Sequence, residues 1–262
     1  QRVYRKMLIG GILPGILMAL GLMIVAYICS KRKHYPVYPK MNSRERWKMA
    51  KSAILPLLMP VILIGGILTG YFTPTEAAVV AAVYGCILGF ATRELTIKQL
   101  PKVLFDTALG SARTMFIIGA AGLFGWILTL EQAPAMFSDW LFGISDNRWV
   151  VLMIINVFLL VLGMFMESSA IIIMTTPILV PIVTSLGFDL IHFGMIMMVN
   201  VMVGCVTPPV GVLMYVTNDI AEISMREYLK HQWPFLLSLL IVLLLVTFFE
   251  PISLFLPDLL LG

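Results

Sequence analysis

Residues 204–211, with the sequence GCVTPPVG, constrain the fold of this chain more than any other segment. They interrupt an apolar run that is otherwise long enough to cross a membrane. Each proline lacks an N–H donor and biases the preceding residue away from helical angles, so this segment does not form a regular helix. A bilayer tolerates broken backbone only where protein buries it or where it lines a watery cavity. Because transporters expose carbonyl groups and helix ends at such breaks, the segment predicts a solute site.

The composition identifies the class of protein. Hydrophobic residues make up 60% of the chain and charged residues only 12%, against about 25% charged residues in soluble domains. A span needs about 20 apolar residues, so the 262 residues predict an all-α polytopic membrane protein with roughly eight embedded segments. The net charge of +4 is localised, which indicates membrane topology, and we expect no nucleic-acid partner. The chain begins with Gln1, and we expect the C-terminal portion of a larger membrane protein or a chain numbered from an internal residue.

Two basic segments predict the orientation of the first three spans, which we expect at 7–29, 53–70 and 76–91. The positive-inside rule places both segments in the cytoplasm. The first segment also carries aromatic residues typical of an interfacial arm. The cations of the first segment are Lys31, Arg32, Lys33, Lys40, Arg44, Arg46, Lys48 and Lys51, and its aromatic residues are Tyr35, Tyr38 and Trp47. The cations of the second segment are Arg93, Lys98 and Lys102. Between the second and third spans, Thr73 or Thr75 is expected to cap the next helix, with Glu76 in its first turn.

The rest of the chain contains a second interruption. We expect a surface helix or linker at 95–112, an embedded segment at 114–130 and a short piece at 133–142. The apolar stretch 149–183 is interrupted at 163–169, and its halves, 149–162 and 170–183, are each too short to span comfortably. This pattern favours a re-entrant hairpin over the alternative of one long kinked helix. A polar connector with Asp219 and Glu222 and a last span at about 233–256 follow the break.

The two interruptions supply oxygen atoms and helix ends. Unwound carbonyl groups and a hydroxyl can ligate sodium without a full charge, and helix N-termini near Ala170 and Gly211 favour a carboxylate substrate. The alternative is that both interruptions are kinks that only shape packing. Glu167 has three candidate roles, namely to ligate a cation, to accept a proton or to cap the following helix. Asn200 is expected to hydrogen-bond between helices or to reach the site.

Enzyme and cofactor motifs are missing from the sequence. The three cysteines and three histidines show no metal-ligand or disulfide spacing. No GxxxxGK[ST], HExxH or GxSxG motif is present. We therefore expect that the protein is not an enzyme and uses no cofactor. Its energy source would then be an ion gradient or another subunit.

Five motifs in order resemble the large membrane subunit of TRAP (tripartite ATP-independent periplasmic) transporters. They are GYFTPTEAA at 70–78, PILVP at 177–181, HFG at 192–194, GCVTPPVG at 204–211 and PISLFLP at 251–257. The similarity covers nearly the whole chain, and the order and spacing of the motifs make it specific.

The resemblance implies an elevator-type secondary transporter with two inverted repeats in a bacterial inner membrane. Residues 1–52 would be an inter-repeat transmembrane helix and a basic cytoplasmic arm. Residues 53–262 would be the second repeat, with scaffold helices, a re-entrant hairpin at about 149–183 and a broken helix at about 190–217. The family pattern also implies sodium as the coupling ion, a small membrane subunit, and a periplasmic substrate-binding protein that delivers the solute.

Matching positions give candidate site residues. The resemblance implies sodium ligation by Gly163, Gly204, Thr207 and the Val210 carbonyl. The candidate substrate residues are Glu167, Ser168, Ser169, Pro208 and Pro209. The family's other sodium site would fall in a first repeat that this chain lacks.

The predicted function is sodium symport of small organic acids such as C4-dicarboxylates, sialic acid or sugar acids. One alternative is a carboxylate symporter that needs no binding protein. Another is an ion-pumping or non-transporting subunit of a membrane complex, which would predict a chain of intramembrane Lys, Glu or His residues.

Overall fold

The computed structural model describes residues 2–33, 42–211, 213–214, 217–218 and 223–261. The predicted arm residues Tyr35, Tyr38 and Lys40 and the connector residues Asp219 and Glu222 lie outside these ranges. The described residues form helices and no strands, which confirms the all-α prediction. The helices are α1 (Arg2–Gly10), α2 (Ile12–Lys33), α3 (Ser43–Thr69), α4 (Pro74–Ala91), α5 (Leu100–Leu130), α6 (Ala133–Ile144), α7 (Arg148–Phe165), α8 (Ser168–Ser185), α9 (Leu190–Cys205), α10 (Met225–Phe248) and α11 (Pro251–Leu261).

Seven of the described segments are long and apolar enough to cross a membrane. They are Val3–Arg32, Ser43–Thr69, Pro74–Ala91, Leu100–Leu130, Arg148–Phe165, Ser168–Ser185 and Met225–Phe248. Two shorter apolar helices, Leu190–Cys205 and Pro251–Leu261, accompany them. The chain is thus a multi-pass membrane protein.

The described residues divide into two compact units, residues 42–114 and residues 2–33 with 115–261. In the first unit, α3 ends at Gly70, whose φ of 83° lies in the left-handed region that favours glycine. Thr73 then caps α4, since its hydroxyl accepts the Glu76 N–H at 3.3 Å and Glu76 accepts the Thr73 N–H at 2.8 Å. The Tyr84 hydroxyl donates to the Leu55 carbonyl at 2.7 Å and so ties α4 to α3.

Helix α5 corrects one prediction. The sequence suggested a surface helix or linker at 95–112 and a separate embedded segment at 114–130, but one helix runs through Leu100–Leu130. The polar side chains of Ser111 and Arg113 change the surroundings of a helix without interrupting its backbone hydrogen bonds. Pro101 lies in the first turn, where a missing N–H donor has no intrahelical partner to lose.

Helices α7 and α8 form a hairpin. The Trp149 and Phe188 rings meet edge-on with centroids 5.3 Å apart, so the start of α7 lies beside the end of α8. One continuous helix would separate these residues by about 58 Å, which excludes the long kinked helix. Each arm has 18 residues and is long enough to cross a membrane, so the prediction that both halves are too short was wrong. That the hairpin re-enters the membrane stays a prediction.

Helix α9 lies at the centre of the second unit and packs against α1, α7, α8, α10 and α11. Most of its residues are buried, and it ends at Cys205, directly before the predicted break. Beyond the break, residues 213–214 and 217–218 are helical. The remainder of the predicted broken helix at 190–217 lies outside the described residues. The division of the chain at residue 52 also stays a prediction.

Candidate functional site

The hairpin and the central helix touch at two glycines. A methyl group built on Gly163 of α7 would lie 2.8 Å from the Gly204 Cα, and one built on Gly204 would lie 2.7 Å from the Gly163 Cα. Such distances are too short for carbon atoms in contact. The two backbones therefore approach this closely only because both residues lack side chains. The structure brings together two predicted sodium ligands that are 41 positions apart in the sequence.

Buried amides hold α7 and α9 together next to this contact. The Asn200 amide donates to the Asn156 carbonyl at 2.9 Å and to its side-chain oxygen at 2.7 Å. The Asn156 amide in turn donates to the Thr247 hydroxyl of α10 at 3.1 Å. All three residues are buried. Asn200 lies one turn from Gly204, so this network fixes the register in which the glycines meet.

The break itself is tied to the end of α7. The Gly211 N–H donates to the Met164 carbonyl at 2.8 Å. Gly211 has a φ of +47°, and a Cβ there would lie 2.9 Å from the Thr207 carbonyl oxygen, so the turn needs glycine. The Pro208–Pro209 peptide bond is cis. Residues 206–211 therefore fold back onto the hairpin instead of continuing α9.

Thr207 is the hydroxyl-bearing residue of the break, and its side chain is buried, with 8% of the residue exposed. Its hydroxyl hydrogen is donated to the Val203 carbonyl at 2.6 Å, which leaves lone pairs of the oxygen for a ligand. Val210 and Pro208 are half-buried and Pro209 is exposed. Carbonyl and hydroxyl oxygens are the hard donors that a cation such as sodium prefers. Among the described residues, no cluster of three or more His, Cys, Asp or Glu side chains offers a different metal site.

Glu167, at the tip of the hairpin, caps α8. Its carboxylate accepts the backbone N–H groups of Ser169 at 3.0 Å and Ala170 at 3.2 Å. The hydroxyls of Ser168 and Ser169 donate to it at 3.1 and 2.9 Å. Of the three candidate roles, capping is the one that these contacts supply.

The capping contacts bear on the prediction that the N-terminus of α8 favours a carboxylate substrate. Helix α8 begins at Ser168, earlier than the predicted Ala170, and Glu167 already occupies its first free N–H groups. A carboxylate substrate would have to displace Glu167 to reach those groups. Both Glu167 and Ser169 are exposed, and Ser168 is half-buried.

Two contacts join the break to residues outside the five sequence motifs, Gln232 and Met166. The Gln232 amide of α10 donates to the Val206 carbonyl. The Cys205 Sγ lies 3.9 Å from the Met166 carbonyl oxygen at the hairpin tip. Asn156 and Thr247 also stand outside the motifs. For Asn156 and Thr247, the available signal was a polar side chain within an apolar stretch of helix. Gln232 lies in the polar first part of α10, where nothing distinguishes it from its neighbours.

Comparison with known proteins identifies the family. The family model of the tripartite ATP-independent periplasmic transporter, DctM component, matches residues 2–252. The chain is 41% identical over 254 residues to the C4-dicarboxylate TRAP transporter large permease protein DctM of Pseudomonas aeruginosa, covering 97% of this chain and 60% of that relative. It is 40% identical over 255 residues to the sialic acid TRAP transporter large permease protein SiaM of Vibrio cholerae, again covering 97% and 60%.

A third relative is also similar. The isethionate TRAP transporter permease protein DctMQ of Oleidesulfovibrio alaskensis is 38% identical over 252 residues, which cover 95% of this chain and 40% of the relative. The chain thus spans about 60% of the length of the large permease relatives. These relatives are named as transporter permeases and not as enzymes, in agreement with the sequence prediction. This chain belongs to the DctM family of tripartite ATP-independent periplasmic transporter components.

Proposed function

We propose that this chain forms part of a permease that imports small organic acids by sodium symport. The substrates for which its relatives are named, C4-dicarboxylates, sialic acid and isethionate, are all organic acids that are anionic at neutral pH. The observation that carries the proposal is the contact between Gly163 and Gly204 beside the folded break. It places the end of α7 directly beside the unwound backbone and the buried hydroxyl of the break.

Sodium would be the coupling ion at this place. Its ligands would be the carbonyl oxygens of Gly163, Gly204 and Val210 and the hydroxyl oxygen of Thr207. An ion bound by oxygens of both segments would stabilise the hairpin against the break. The hairpin and broken helix would then move together as half of a mobile transport domain, in an elevator mechanism.

The acid would bind where the hairpin tip meets the break. Ser168 and Ser169 offer hydroxyls, and Pro208 and Pro209 shape the opposite wall. Glu167 would act through the cap that orients the two serines, because all four of its hydrogen bonds are made within residues 167–170. Sodium binding would complete this site, which couples the ion gradient to uptake.

The permease would work in a bacterial inner membrane with two partners. A soluble periplasmic protein would deliver the acid, and a small membrane subunit would pack against the large one. The name DctMQ of the isethionate relative, a permease of which this chain covers 40%, supports the partnership with a further membrane component.

Uptake into proteoliposomes tests the proposal. The full-length permease, its membrane partner and a periplasmic extract would be tested with a panel of labelled acids under an imposed sodium gradient. We expect uptake of at least one acid that needs both sodium and the extract. Uptake without the extract would instead support a carboxylate symporter that needs no binding protein. Absence of solute uptake with all components present would support a non-transporting subunit.

A further inference from the structure

Helix α3 carries a basic extension beyond its apolar part. The helix begins at Ser43, but its uninterrupted apolar part starts only at Ala53. At 1.5 Å per residue, Lys51 and Lys48 lie about 3 and 8 Å before that point, and Arg44 lies about 14 Å before it. The headgroup layer on each side of a bilayer is roughly 5–8 Å thick. The helix therefore carries its cations through the lipid headgroups and just beyond them.

Three of these cations share one face with a tryptophan. Arg44, Trp47, Lys48 and Lys51 follow the spacing i, i+3, i+4 and i+7, so they form one stripe, which we call the basic face. All four residues are exposed, and Trp47 is 68% exposed. Arg46 lies on the opposite side of the helix by the same spacing. Tryptophan is enriched at membrane–water interfaces, where its ring sits at the level of the lipid headgroups.

The positive charge of the basic face is not neutralised within the described part of the chain. No ion pair or side-chain hydrogen bond there involves Arg44, Lys48 or Lys51. The neighbouring carboxylate of Glu45 accepts the Asn42 N–H at 3.2 Å, at the start of the helix. Lys48 and Lys51 therefore face outward with free donors at headgroup level, and Arg44 does so just beyond it.

We propose that the basic face binds anionic phospholipids of the cytoplasmic leaflet. Arg44, Lys48 and Lys51 would donate to lipid phosphate groups, and Trp47 would insert between the headgroups. The occupant is a lipid and not free phosphate, because the basic face continues directly into a membrane span. Bound lipid would anchor the end of α3 at a fixed depth in the membrane. This inference is independent of the proposed transport function.

Native mass spectrometry of the full-length permease tests this inference. The protein would be extracted from membranes with equal phosphatidylglycerol and phosphatidylethanolamine, and the retained lipids would be counted. The test variant is Arg44→Gln/Lys48→Gln/Lys51→Gln. The matched control, Arg93→Gln/Lys98→Gln/Lys102→Gln, removes the same charge from the other basic segment, which lacks a tryptophan and is helical only at Lys102.

We expect the test variant to retain at least five-fold less phosphatidylglycerol and the control variant to change less than two-fold. Equal losses in both variants would contradict a specific face, and unchanged retention in the test variant would contradict lipid binding there. Displacement of the lipid by millimolar inorganic phosphate would contradict the proposal and show that the basic face binds free phosphate instead.

Single variants keep the inference testable if the triple variant fails to fold. Lys48→Gln removes a charge from the basic face and Arg46→Gln removes one from the opposite side of the same turn. We expect the first to lower phosphatidylglycerol retention about two-fold more than the second. Equal retention by the two would overturn the proposal.

Discussion

At the scale of single residues, the contact between Gly163 and Gly204 leaves no room for a side chain at either position. Each glycine leaves room for the other's backbone, so adding one carbon to either must move two helices. Glycine in a helix normally costs about 1 kcal/mol relative to alanine, and this cost is offset here by close packing.

Gly204→Ala is therefore expected to destabilise the protein despite its better helix propensity. We expect a loss of about 1–3 kcal/mol from overpacking and a loss of uptake. Thermal unfolding of the purified protein in detergent would measure the first effect. Gly119→Ala in α5 is the control, because a Cβ there meets nothing within 4 Å. Equal melting temperatures for the two variants would contradict the packing argument.

Glu167 allows a test that separates capping from substrate binding. Asparagine is among the best residues at the start of a helix, whereas alanine at a capping position costs about 1 kcal/mol. We expect Glu167→Asn to keep the melting temperature and uptake of the native protein, and Glu167→Ala to lower the melting temperature. If Glu167→Asn folds normally but loses uptake, the carboxylate is needed beyond the cap, either to orient the two serine hydroxyls or to contact the substrate or an ion.

The sequence reveals the residues of the site better than their partners. The glycines, prolines and threonine of 204–211 predict broken backbone from their covalent properties alone. The hydrogen bond from Gly211 to the Met164 carbonyl depends on how two distant segments pack, which no local property encodes. The role of Glu167 was likewise open, because capping and ligation require the same side chain.

At the scale of elements, the packing of α7 against α9 depends on the two asparagines. Polar side chains between membrane helices contribute about 0.6 kcal/mol on average and up to about 2 kcal/mol, because partners are found in the unfolded state too. Asn156 and Asn200 lie within two turns of the glycine contact. They therefore fix both the strength and the register of the crossing.

Replacement of one asparagine should lower the free energy of unfolding by more than half of the loss in the double variant. Asn200→Leu leaves the Asn156 oxygens without their donor, and we expect a loss of about 1–3 kcal/mol. Asn156→Leu combined with Asn200→Leu should lose less than the sum of the single changes. A double-mutant cycle on thermal unfolding measures this coupling. Strictly additive losses would show that the two side chains do not act as a pair.

Helix lengths were harder to predict than helix positions. Gly163 was read as part of an interruption, yet it continues α7 to Phe165, because a glycine alone does not end a helix. The true interruption is only Met166 and Glu167, since Glu167 caps α8 at once. In α5, polar residues suggested a boundary where the backbone has none. Composition reports the surroundings of a helix and does not fix its ends.

At the scale of the whole molecule, composition and charge were sufficient to predict a helical membrane protein. The apolar segments of about 20 residues leave few alternatives to helices, because every backbone group in lipid must be hydrogen-bonded. Motif order then predicted the family that the comparison shows. The proposed coupling is a property of the complete permease, of whose large-subunit relatives this chain spans about 60%.

The sodium dependence of uptake by Thr207 variants tests the central claim most directly. Reconstituted full-length permease would be compared with Thr207→Ser, Thr207→Ala and the control Thr184→Ala, whose hydroxyl makes the same helical contact on an exposed surface. We predict that Thr207→Ala raises the half-saturating sodium concentration about ten-fold, while Thr207→Ser and Thr184→Ala stay near the native value. An unchanged sodium dependence in Thr207→Ala, with uptake still active, would contradict a sodium site at the break.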